Sequence, residues 1–236
     1  MGAIQPARCH CAYVVKAQLS ITLTLTLKVI IMQKAITTIL EQRISANQFD
    51  TSKSLSIAQI EELTRLATLA PTAFNFQNWK FIAVHTPAAK ERLKAVAYGQ
   101  QKIADAAVTF IICGTLEAHK GLAKAIKPSV DAGIVPQDMA DSWVAMAAGG
   151  HEGNSQRQRD EAIRSASLGS MALMLAAQGM GLVSGPMIGF DPAGVAKEFN
   201  LSARDIPAML VAVGYPAAGN WPQKPRLPVK EVLTIV

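Results

Sequence analysis

Ala70-Pro71-Thr72-Ala73-Phe74-Asn75-Phe76-Gln77-Asn78-Trp79-Lys80-Phe81 is the stretch on which the reading of this chain turns. Upstream, Ser56 with Gln59 three residues on forms a capping box. It predicts a helix running through Ala70, with Ile57, Ile60, Leu63, Leu66 and Ala67 on one face. Downstream, Trp79–Val84 reads as a strand. Between them small and amide residues crowd a turn that opens with Pro71. Such a turn lets backbone approach a flat polar ligand, while Asn75 and Gln77 offer donors and acceptors to its edge.

The 236 residues, half of them apolar, suffice for one sizeable core. The formal charge is +6, of which Arg8, Lys16 and Lys28 supply three within residues 1–31, a segment without acids; 32–236 carries the other +3. So mild an excess suits an anionic small ligand. With no basic run interleaved with aromatics, it argues against a nucleic-acid partner. Cys9-His10-Cys11 lacks the usual structural-zinc spacing, and Cys113 closes an apolar strand as a packing residue. Nothing suggests a disulfide framework, which fits the cytosol.

Residues 1–31 differ in character from the rest. Lys16 and Lys28 interrupt what a signal peptide would keep apolar. The alternating stretch 20–27 reads as a strand, and Met32 opens a helix. The leader is read as an upstream extension, with an extra strand or a cleaved segment as alternatives. The domain itself is assigned to 32–236.

Within it, helices are expected over 33–43 (Ile36, Ile39 and Leu40 inward), from Thr86-Pro87 through Ala97, with breaks over 116–155, over 161–180, and from Asp191-Pro192 through Phe199. Strands are expected at 108–113 and 209–213, with a loop at 149–154, a proline-rich excursion at 216–228 and an extended end at 229–236. Long helices among a few strands give an α+β or α/β layered domain. Residues 165–190 carry no charge, yet Ser165, Ser167, Ser170, Gln178, Gly169, Gly179, Gly181 and Gly185 argue against a membrane span. A helix apolar on every side belongs in the core or in a subunit interface. Ala166, Gly169, Ser170 and Ala177 would permit close approach.

Gly179-Met180-Gly181-Leu182-Val183-Ser184-Gly185 fails as a dinucleotide fingerprint because its third glycine is one residue late and it follows a helix. His10, His85, His119 and His151 lack metal spacing and read as surface or loop residues. No nucleophile–base pair stands out, so redox or group-transfer chemistry would need a bound cofactor.

Five segments read together change the picture: Arg43-Ile44-Ser45-Ala46-Asn47-Gln48-Phe49, Ala70 to Trp79, Gly99-Gln100-Gln101-Lys102, Pro186-Met187-Ile188-Gly189-Phe190-Asp191, and Lys224-Pro225-Arg226-Leu227-Pro228. In this order they make residues 32–236 resemble the nitroreductase family of FMN-dependent oxidoreductases. Arg159-Asp160-Glu161-Ala162-Ile163-Arg164 and Ala73-Phe74-Asn75 look most like a bacterial branch of NAD(P)H nitroreductases associated with quinone stress.

The resemblance implies an α+β fold with a central, mostly antiparallel sheet flanked by helices, and a cytoplasmic homodimer whose two FMN sites each draw on both subunits. It also implies ping-pong reduction of nitroaromatics or quinones by NADH or NADPH, with no membrane or nucleic-acid partner and no metal. Residue by residue, Arg43, Ile44, Ser45, Lys224 and Arg226 would serve the phosphate. Asn47, Asn75, Gln100 and Lys102 would serve the flavin's polar edge. Pro71, Thr72, Ala73, Pro186, Met187, Ile188 and Gly189 would also contact the cofactor. A backbone N–H of Ile188 or Gly189 would face N5. Ile44 and Asn47 stand where relatives carry cations, leaving Lys102 with fewer helpers near the flavin. The flavin would carry the chemistry, so no side chain is assigned a catalytic role. The alternatives are a flavin-binding or sensing protein with little turnover, and an interaction or membrane-surface protein using the leader and the uncharged helix.

Overall fold

In the computed structural model, which describes residues 36–236, the chain divides into two units, Met1–Gln42 and Arg43–Val236. Of the first, 36–42 is helical (α1), but Ile36 and Leu40 are exposed rather than turned inward. The readings made for 1–31, including Cys9-His10-Cys11, lie outside the described residues.

The second unit is built on a four-stranded antiparallel sheet, β1 (Trp79–Val84), β2 (Val108–Thr115), β3 (Val183–Met187) and β4 (Asp205–Gly214), in the order β1-β2-β4-β3. With the helices below this is an α+β fold. The apolar residues of β2 and β4 alternate between two faces. Ile111, Cys113, Leu210 and Ala212 enter one core with Leu93, Ile103 and Val195, beneath α3 (Pro87–Ala95), α4 (Gln101–Asp105) and α8 (Pro192–Glu198). Val108, Phe110, Ile112, Val211 and Val213 enter the other with Leu63 of α2 (Ile57–Ala67) and Leu173 of α7 (Ser155–Gly179). Full burial of such a side chain contributes about 1.5–3 kcal/mol. A bulge between Ile112 and Cys113 accommodates Pro207, which has no N–H for the ladder. Burial beside Asp205 pushes the Cys113 thiol up to about 12, in keeping with a packing role.

The capping box forms as expected, with the Ser56 N–H donating to Gln59 Oε1 at 2.9 Å, although Ile57 is exposed. A third cluster joins Phe76 to Leu122 and Ile126 of α5 (Ala118–Asp131) and to Ala140 and Ala147 of α6 (Gln137–His151). Gly149, Gly150 and His151 belong to α6 and not to a loop. The long helix α7 starts at Ser155, six residues earlier than expected, because the Asn154 side chain caps it by accepting from the Arg157 N–H. The uncharged part of α7 is a core element. A Cβ at Gly169 would sit 3.0 Å from Phe81 and 3.3 Å from Trp79, so the small residue there admits the sheet of the same chain. β3 was not anticipated; Gly185 and Pro186 mask it, and its edge position tolerates the proline. The tail ends in a short helix α9 (Val229–Val232) where an extended segment was expected. No helix among the described residues is long and apolar enough to cross a membrane.

Candidate functional site

Residues 43–47 form a strap laid against the outer edge of β3. Ser45 bridges Ser184 in parallel, and the Ala46 N–H donates to the Ser184 carbonyl at 2.9 Å. Gly185 makes this approach possible, because a Cβ there would lie 2.3 Å from the Ala46 carbonyl oxygen. Asn220 fastens the proline-rich excursion to the strap. Its Oδ1 accepts from the N–H groups of Asn47 (2.8 Å) and Gln48 (3.0 Å), and its Nδ2 donates to the Gln48 carbonyl at 2.8 Å. Gln223 adds a bond to the Arg43 carbonyl at 2.9 Å.

The result is a cleft lined by Arg43, Ile44, Ser45, Trp221, Lys224 and Arg226, among others. Its charged residues are all cations. Lys224 Nζ rests 5.3 Å from the centre of the Trp221 ring, and Arg226 Nη1 donates to the Lys224 carbonyl. Residues almost two hundred positions apart thus present an arginine–lysine–arginine set beside the Ser45 hydroxyl, a donor set suited to a phosphate. Ile44 lines this cleft and is also packed against the core.

Asn47 continues the site inward. Its Oδ1 accepts from Lys102 Nζ of α4 at 3.1 Å, and burial of Lys102 lowers its pKa. Gln100, just before α4, donates Nε2 to the Gly189 carbonyl at 2.6 Å. Its amide N–H is therefore engaged by the protein, leaving Oε1 for a ligand. The Gly189 N–H has no acceptor among the described residues. Neighbouring Ile188 is 80% exposed, while Met187 is buried at the end of β3 behind Pro186. A row therefore runs from the cationic cleft past Asn47 and Lys102 to the Gln100–Gly189 pair. It could hold an elongated anion with a polar, ring-shaped head, which is the chemistry FMN presents.

Pro71, Thr72, Ala73 and Asn75 are elsewhere. Their loop enters β1 beside Gly114, at the far end of β2 from Val108, whereas Ser184 pairs with Val213 and so lies near Val108. Trp79 and Ser184 thus mark diagonal corners of the sheet, separated by roughly 25 Å from strand spacing and rise. The loop is tightly wound. Phe74, Asn75 and Gln77 all have positive φ, a conformation costing non-glycine residues up to about 1–3 kcal/mol each. Thr72 Oγ1 accepts from the Gln77 N–H at 3.0 Å, and Asn75 is left exposed. Asn78 does more than shape the turn: its Nδ2 donates to the Thr115 carbonyl at 3.2 Å, prolonging the β1–β2 pairing. One chain therefore brings together two separate sets of the expected site residues.

Two histidines read as surface residues are buried beside this second set. His119 and His151 stack with ring centres 5.9 Å apart, and His119 Nε2 lies 2.9 Å from Glu152 Oε2. Asn220, Gly185, Gln223 and Trp221 were missed as site-builders. The only local signal was Gly219-Asn220, whose glycine has φ 91°.

The nitroreductase family profile matches residues 40–215. "Putative NAD(P)H nitroreductase YodC" of Bacillus subtilis (strain 168) is 32% identical over 196 residues, covering 83% of this chain and 96% of that protein. Among solved structures, the nitroreductase ydfN of Bacillus subtilis superposes with a TM-score of 0.79 at 31% identity, over 85% of this chain and 98% of that one. A nitroreductase from Exiguobacterium sibiricum 255-15, solved in complex with FMN, gives a TM-score of 0.79 at 25% identity, over 85% and 97%. With its family segments carried on the same sheet-and-helix frame, this chain is a member of the nitroreductase family.

Proposed function

We propose that the protein is a cytoplasmic, FMN-dependent NAD(P)H oxidoreductase that reduces nitroaromatics or quinones by a ping-pong mechanism and works as a homodimer. The observation that carries this reading is the all-cation cleft continuing into the Asn47–Lys102 and Gln100–Gly189 contacts. Bound FMN would supply the redox chemistry, accepting a hydride equivalent from NAD(P)H and passing two electrons to the second substrate.

Arg43, Ser45, Lys224 and Arg226 would hold the phosphate by charge-assisted bonds. The Lys102 ammonium would stabilise negative charge at the pyrimidine edge, and it is held in place by Asn47. Gln100 fixes the Gly189 carbonyl, leaving the Gly189 N–H free to donate to the ring. Exposed Ile188 beside it would exclude water from one side of the reacting face.

The separation of Pro71, Thr72, Ala73 and Asn75 from this row supports a dimer. A second copy could bring that loop to the flavin, where its own chain cannot. Acceptor-dependent oxidation of NAD(P)H by flavin-loaded protein tests the reading. Turnover with a quinone or a nitroaromatic, with parallel lines in double-reciprocal plots, is expected. Flavin binding without such turnover would identify a flavin carrier or sensor instead.

A further inference from the structure

A second cleft borders the Pro71–Asn75 turn. It is lined by Ala73 and Phe74, with Trp143 edge-on to Phe74 at 6.4 Å, and by Asn154, Gln156, Arg157 and Arg164 from the start of α7. This cleft offers more space than the cationic one, ≈ 730 Å³ against ≈ 320 Å³. Its charged groups are Arg157, Asp160, Glu161 and Arg164. Three of them are engaged. Glu161 is buried and accepts from Arg164 Nη1 and from Ser165 Oγ, and Asp160 Oδ1 accepts from Gln156 Nε2 at 2.7 Å. The Arg157 guanidinium has no acceptor among the described residues. It rests on α6 at Gly150, where a Cβ would come within 3.0 Å of Nη1.

An aromatic side chain and an unengaged guanidinium lining one cleft make a pairing that suits a nucleotide, with a ring against the apolar group and a phosphate on the planar fork. Under the function proposed above, the adjoining turn lies next to the flavin of the second copy, where the dihydronicotinamide must also lie. We infer that this cleft seats the phosphate-bearing half of NAD(P)H and that Arg157 binds its pyrophosphate. The inference rests on the flavin reading and adds to it a residue that recognises the reductant rather than the cofactor.

The test compares two reductants in flavin-loaded protein by rapid kinetics: NADH, and 1-benzyl-1,4-dihydronicotinamide, which has no phosphate. Arg157→Ala should raise the half-saturating NADH concentration about tenfold to a hundredfold, the range of one charge-assisted contact. The limiting reduction rate and the benzyl compound's kinetics should not change, and Arg157→Lys should recover part of the loss. In unaltered protein, ADP-ribose should compete with NADH and leave the benzyl reductant unaffected, a measurement that needs no variant to fold. Equal changes for both reductants, no change for either, or no competition by ADP-ribose would overturn the inference; loss of thermal stability alone would make Arg157 a packing residue on Gly150. Wild-type protein that takes up no FMN would overturn the parent reading and this one together, which is a distinguishable result.

Discussion

Gly185→Ala should loosen the strap and the phosphate end of the site together. An ideal Cβ at this position lies 2.3 Å from the Ala46 carbonyl oxygen. Residues 43–47 would have to retreat by about 1 Å to restore normal contact. That retreat works against the 2.9 Å bond from Ala46 to Ser184, a net loss of about 0.5–1.5 kcal/mol, on top of about 1–3 kcal/mol for overpacking. A total of about 1.5–4.5 kcal/mol corresponds to a Tm lower by roughly 3–18 °C in a chain of this size. Arg43 and Ser45 would move with the strap, and loss of one charge-assisted phosphate contact weakens binding roughly tenfold to a hundredfold. Thermal melts and FMN titration, followed by quenching of flavin fluorescence, would read the two effects. Gly121→Ala is the control. It lies in α5 with nothing within 4 Å of the new methyl group, so it should stabilise by roughly 0.5–1 kcal/mol and leave FMN affinity alone. A Gly185→Ala protein with unchanged Tm and unchanged FMN affinity would refute the reasoning.

Three further predictions follow from named contacts. Arg226→Ala should weaken FMN binding about tenfold to a hundredfold with little change in Tm, since the side chain is exposed; an unaltered dissociation constant would remove Arg226 from the site. Lys102→Met deletes the ammonium that Asn47 positions and should lower the two-electron potential by tens of millivolts, about 30 mV being 1.4 kcal/mol; a potential equal to wild type would show that its charge stays in water. Burial alone would raise the pKa of Asp205, but its bonds to Lys80 (2.9 Å) and Ser202 hold it below the ordinary value. Its contribution to stability is complete above the unfolded value of about 3.9 and is lost as the pH falls through the lower folded value. Asp205→Asn should therefore be less stable than wild type at neutral pH, with the gap closing in acid. A gap that stays constant down to the acid limit of the melts would remove Asp205 as its source.

Much of the frame is legible in the residues. Ser56 and Gln59 announce α2, Thr86-Pro87 announces α3, and Trp79–Val84 forms a strand over the expected residues, because each signal is local. What escaped reading was set by tertiary context. Gly185-Pro186 carries poor strand propensity, yet an edge strand needs fewer N–H donors, and the strap requires a residue without a side chain. Gly149-Gly150 reads as a break but remains helical in α6, where Gly150 leaves room for Arg157. Gly169 fits the core or a subunit interface by its residue pattern alone, and only the fold shows that Phe81 and Trp79 pack against it. For the site, the charged and amide residues could be named in advance. Their division into two distant sets could not, because it depends on which sheet edge each segment meets. Asn220, which joins the ends of the first set, makes bonds to residues 47 and 48 that no local pattern encodes.

The most direct measurement is the visible absorption spectrum of the purified protein, recorded without air before and after addition of NADH and then after a quinone. The account predicts a flavin spectrum, with one FMN released per chain on denaturation, bleached by NADH and restored by the quinone. A folded, colourless protein that takes up no FMN from solution would contradict it.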